Sequence, residues 1–109
     1  MLAKLLGSLN KERVLIFIAG RDRGYAREIA RFFKAPLFPI QMAIDHLEAA
    51  GVIVGRAVGN TREYEFNPRY PARRELKALL DRALYFYPTK MRDDLILARS
   101  RPRRKGKPL

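Results

Sequence analysis

Apolar positions recur along this chain with two periods, mostly helical and once alternating. In the stretch 9–19, Val14, Leu15 and Ile18 share one helical face. Ser8 or Asn10 can cap that helix, and Gly20 can end it in a left-handed conformation. After the polar "GRDRG", the run "YAREIARFFKA" sets Tyr25, Ile29 and Phe32/Phe33 at helical spacing and leaves Arg27, Arg31 and Lys34 to solvent. Pro36 and Pro39 bracket a tight connection, and Pro39 suits a first helical turn, where a missing N–H costs nothing. A third helix is predicted from about Phe38 to Ala50, with Ile40, Ile44 and Leu47 inward and Gln41, Met42 and Asp45 on other faces. Gly51 stops it.

The pattern then changes period. Val52 to Ala57 and Arg62 to Phe66 are β-branched or aromatic runs, and Gly59-Asn60 between them tolerates positive φ, which predicts a hairpin. Tyr64 and Phe66 share one face of its second strand, Glu63 and Glu65 the other. Pro68 and Pro71 close it. From Ala72 to about Tyr87, the residues Leu76, Leu79, Leu80, Ala83, Leu84 and Tyr87 form a continuous helical stripe, and Pro88 marks its end. A last short helix is predicted around Lys90–Ala98. The fold class is therefore mainly α with a small β-hairpin.

Charge sharpens this picture. The 109 residues carry 23 Lys and Arg against 11 Asp and Glu, a formal net charge of +12, which favours a polyanionic partner such as nucleic acid. Half of that excess falls in "RSRPRRKGKPL", a tail with no acidic residue and too little apolar content to fold alone, read as a basic disordered arm that adds sequence-independent phosphate affinity to DNA or RNA. The expected organisation is one domain over residues 1–88, followed by a short helix and the arm over 89–109. With no cysteine, disulfides, thiolate metal sites and cysteine nucleophiles are excluded. His46 stands alone and has no neighbouring His to complete a metal site. Lys4, Lys11, Glu12 and Arg13 interrupt the apolar opening before it reaches membrane-spanning length, so the chain reads as soluble and cytoplasmic, with no membrane partner and no cofactor.

The segments "LLGSLNKERVLIFIAG", "YAREIARFF", "IDHLEAAGVI" and "GNTREYEFNPRYPARRELKALL" resemble winged helix-turn-helix domains of the arsenic-repressor-like group, particularly those beside or fused to minimal nucleotidyltransferases. The resemblance covers about residues 5–85. Its most specific part is the hairpin followed by Asn67-Pro68, Pro71 and Glu75-Leu76. It implies a winged helix-turn-helix with an additional long C-terminal helix, and a dimeric repressor that reads double-stranded DNA in a sequence-specific way. The third helix would enter the major groove and present Phe38, Pro39, Gln41, Met42 and Asp45. Among these Gln41 is the obvious base reader, able to pair in bidentate fashion with adenine, and Phe38 or Met42 could touch a thymine methyl. Asp45 would repel phosphate unless it met a cytosine amino group or an arginine. The wing would bring Arg56, Gly59, Asn60, Thr61 and Arg62 to the backbone or minor groove.

Arg27, Arg31 and Lys34 form one stripe at i, i+4, i+7 beside the turn and are candidate phosphate contacts, as are Arg21 and Arg23; a solvated helix face explains the same spacing. The stripe Leu76, Leu79, Leu80, Ala83, Leu84 and Tyr87 either completes the core or forms the seam of a homodimer. Pairing through terminal helices, which the resemblance implies, would set two third helices roughly 34 Å apart on a palindromic site. A rival reading is a winged-helix adaptor for a protein partner, for example a nucleotidyltransferase. Catalysis is not expected: "LLGSLNKER" holds a Gly-Ser alone, without following paired aspartates, and no phosphate-cradling loop or nucleophile–base pair is present.

Overall fold

A computed structural model describes residues 1–100, and the basic arm from residue 101 onward lies outside them. The order is α1 (Ala3–Leu6), α2 (Leu9–Arg21), α3 (Ala26–Phe33), α4 (Leu37–Ala49), β1 (Ile53–Val58), β2 (Thr61–Phe66), α5 (Arg73–Leu84) and α6 (Thr89–Ser100). The two strands are antiparallel, so the protein is mainly helical with one hairpin. The three predicted helices before the hairpin are α2, α3 and α4; α1 is an addition, too short to show a period.

Local chemistry explains the boundaries. Ser8 caps α2, its hydroxyl accepting the Lys11 N–H at 3.1 Å. Pro36 caps α4 and Pro39 sits in its first turn, where no intrahelical donor is needed. Gly51, with φ of 79°, turns the chain out of α4, and Gly59, with φ of 61°, makes the two-residue hairpin turn.

Gly20 does not end the helix as expected. It remains helical, one residue before Arg21, and the left-handed position passes to Asp22 with φ of 82°. The reason is close packing: a Cβ on Gly20 would stand 3.0 Å from Leu95 Cβ, so its missing side chain lets α6 lie against α2. Leu95 is buried there, and α6 shares the domain's core.

The core gathers around α2, whose residues Val14 to Gly20 are all buried, with Ile29 from α3, Ile40, Ile44 and Leu47 from α4, and Ile53 and Tyr64 from the hairpin. Leu80, Ala83 and Leu84 of α5 complete it. Those three residues of the α5 stripe are buried in the chain's own interior. Leu76 is half-buried against the same core, and Leu79 is the stripe residue left exposed.

Tyr87 has a different role. Its hydroxyl donates to Glu12 Oε2, and Glu12 Oε1 accepts the Leu2 N–H at 3.0 Å, so one buried carboxylate ties α1 and the α5–α6 connection to α2. Burial, reinforced by the bond to Glu12, pushes the Tyr87 phenol well above its usual range. Gly24, in the α2–α3 connection, is bridged to Tyr64 by two backbone hydrogen bonds of 3.1 and 2.8 Å, which fasten the hairpin to the helical body.

Two outcomes follow from this packing. A Cβ at Gly24 would stand 2.5 Å from Cε1 of the fully buried Phe17 ring, so Gly24→Ala should cost roughly 1–3 kcal/mol in urea unfolding. Because the Tyr87 phenol is held protonated, its contribution is complete below about pH 10 and lost as pH rises beyond it. Tyr87→Phe should leave the Glu12 carboxylate short of a partner at neutral pH, at a cost of about 1–3 kcal/mol, and show a shallower alkaline loss of stability than the parent.

Candidate nucleic-acid interface

The site is built from α4 outward. With Ile40, Ala43, Ile44 and Leu47 packed inward, the rest of α4 presents two outward faces. On one, Leu37 and Gln41 line an open cleft of about 260 Å3 between the N-terminal end of α3, α4 and the hairpin tip, shared with Tyr25, Arg27, Asn60, Thr61 and Arg62. On the other, Phe38, Pro39, Met42 and His46 line a second groove with Gly7 and Ser8 of the α1–α2 connection and Lys11 of α2. The expected recognition residues are thus divided, with Gln41 facing the hairpin and Phe38, Pro39 and Met42 facing away from it. Phe38 is 72% exposed and Met42 40%, so neither is a core residue.

Asp45 is exposed and engaged. Gln41 Nε2 donates to Asp45 Oδ1 at 3.0 Å, one helical turn away. The carboxylate on this helix therefore has a partner within the helix itself.

The hairpin arginines do not form one clamp. Register pairs Arg56 with Glu63 and Ala57 with Arg62, and since directly paired residues share a face, Arg56 and Arg62 project to opposite faces. Arg62 lies on the face of Tyr64. Its Nη2 donates to Glu48 Oε2 of α4 at 2.9 Å, with the guanidinium 5.8 Å from the Tyr64 ring centroid. The Glu48 carboxylate raises the Arg62 guanidinium further above its already high range. Gly55 makes room for this arrangement, because a Cβ there would stand 2.6 Å from Arg62 Nε and 2.7 Å from Tyr64 Cε1. Gly59, Asn60 and Thr61 are exposed at the tip, where the Thr61 hydroxyl donates to the Val58 carbonyl at 2.9 Å.

Arg27, Arg31 and Lys34 are exposed along α3, and none forms a salt bridge among the described residues. Arg27 reaches the cleft; Lys34 occupies the left-handed position that ends α3. Arg21 is engaged within the protein. Its Nη1 donates to Glu28 Oε2 and its Nη2 to the Asp94 carbonyl, each at 3.2 Å, and the guanidinium lies 4.8 Å from the Phe17 ring centroid. It joins α2, α3 and α6. Gly7-Ser8 has a structural use, since the Ser8 hydroxyl is the cap of α2.

Sequence patterning missed Glu48 as the partner of Arg62, 14 residues away. The single visible hint was an acidic residue near the end of a predicted helix facing the hairpin. Among the described residues there is no cluster of three or more metal-ligating side chains, and no helix is long and apolar enough to cross a membrane. Compared with protein-family models, curated proteins and solved structures, the chain matches none.

If the Arg62–Glu48 bond holds the hairpin against α4, Glu48→Gln should speed amide exchange across Thr61–Tyr64 while leaving the unfolding midpoint nearly unchanged, as for an exposed ion pair. Hydrogen exchange followed by NMR reads the first effect, and thermal unfolding the second.

Proposed function

We propose that this protein is a winged helix-turn-helix regulator that binds double-stranded DNA, with α4 as the recognition helix and the β1–β2 hairpin as the wing. The observation that carries the reading is the convergence of Arg27, Gln41, Asn60, Thr61 and Arg62 on one open cleft, in a chain of net charge +12. Cations at the rim of such a cleft neutralise phosphates without reading sequence, and a polar amide within it reads base edges. Arg27 with Arg31 on α3 serves one flank, and the wing tip serves the other. Arg62 exchanges Glu48 for phosphate on binding, whereas Arg56, on the opposite face, meets a phosphate farther along the groove.

Homodimer pairing uses apolar surface other than the buried Leu80, Ala83 and Leu84, with the exposed Leu79, Tyr85, Phe86 and Leu97 supplying the area. A protein-adaptor reading is favoured by one observation, the exposed Phe38 and Met42 beside the α1–α2 connection.

Titration of labelled random-sequence duplex at two salt concentrations separates the readings. Replacing Arg27, Arg31 and Arg62 with Ala should weaken binding to all duplexes and flatten the dependence of log K on log salt by about 0.9 for every phosphate no longer neutralised. Phe38→Ala and Met42→Ala should leave that slope unchanged. An unaltered slope in the triple arginine variant would refute the interface.

A further inference from the structure

Resting on the DNA reading above, the Gln41–Asp45 pair carries a further step. We infer that Asp45 is a positioning residue that fixes the amide of Gln41 so that α4 selects adenine at the base pair this side chain meets. A carboxylate only accepts hydrogen bonds, so the nitrogen end of the Gln41 amide, not its oxygen, must face Asp45 Oδ1 at 3.0 Å. The ambiguity of a glutamine's two ends is thereby resolved by its neighbour. The bond is to an ionised acceptor, which strengthens it, and the i, i+4 spacing brings the two side chains together on one helical face.

What remains of Gln41 is one N–H and the carbonyl oxygen, side by side. That donor–acceptor pair complements adenine, whose major-groove edge offers the N7 acceptor and the N6 amino donor. Guanine offers two acceptors there, N7 and O6, and a free glutamine could meet both with its two N–H groups. Asp45 has taken one of them. The clamp therefore works by subtraction, removing the second donor that guanine would require. Asp45 on this reading accepts from Gln41 and does not itself read a cytosine amino group.

The experiment uses the full chain. Enrichment of randomised duplexes is followed by competition binding between the preferred duplex and its single-base variants, for the parent, Asp45→Ala, Asp45→Asn and Gln41→Ala. The expected result is an adenine preferred at one position, with the adenine-over-guanine affinity ratio there falling roughly fivefold or more in Asp45→Ala, the scale of one good base pairing. Asp45→Asn, whose carbonyl oxygen still accepts from Gln41, should keep most of that ratio. Gln41→Ala should lose it and make the Asp45→Ala change silent.

A uniform rise in affinity for every duplex in both Asp45 variants, with the ratio unchanged, would reduce Asp45 to a repulsive charge and overturn the inference. Duplex binding by the parent without any adenine preference overturns it also, while leaving the DNA reading intact. No duplex binding by the parent at all overturns both.

Discussion

The whole structure hangs on the burial of α2 around its full circumference. Seven consecutive residues from Val14 to Gly20 are out of solvent, which places apolar side chains on every side of the helix. A helix of that kind has no surface to give to water and must be sheathed by its neighbours. Each large side chain so buried contributes about 1.5–3 kcal/mol, several times the worth of an exposed ion pair. The positions of the other helices are consequently set by where they can cover α2.

That constraint reaches the cleft through two routes. Phe17 of α2 packs edge-on to Phe32 of α3, with ring centroids 5.6 Å apart, and this pair sets the height of α3 and hence of Arg27. The same Phe17 ring leaves no room for a side chain at Gly24, so the α2–α3 connection can approach closely enough to bond to Tyr64 and seat the hairpin. Arg21 then spans the far side, binding Glu28 of α3 and the Asp94 carbonyl of α6. The polar groups around the cleft are arranged by the apolar packing behind them.

Periodicity disclosed much of this and concealed the rest for identifiable reasons. Strong amphipathic spacing located α4 and the inward Ile40, Ile44 and Leu47, and alternation located the strands and the inward Tyr64. In α2 every position from Val14 to Gly20 is buried, so the spacing that predicts the helix carries no information about which neighbours surround it. Gly20 is ambiguous because glycine serves equally to end a helix and to admit another, and Leu95, the residue that decides between those uses, lies 75 positions away. The α5 stripe suffers the same ambiguity: an apolar face announces burial without naming the chain that provides it. For the candidate site, the presence of Gln41, Asp45 and Arg62 was legible, but their partnerships were not. Strand register alone sends Arg56 and Arg62 to opposite faces, and a slip of one position would have put both on the same face.

The backbone bridge between Gly24 and Tyr64 bears on how this fold can vary over evolutionary time. Because the hairpin is moored in mid-strand by main-chain bonds that ask of residue 24 only that it be glycine, the segment beyond that mooring is released from any duty to the core. Val58, Gly59, Asn60 and Thr61 are all exposed. Lengthening such a loop costs little, since closure entropy grows only with the logarithm of its length. The tip is accordingly the place where relatives could diverge in size and chemistry while the helical body stayed the same, trading one binding chemistry for another without refolding anything beneath it.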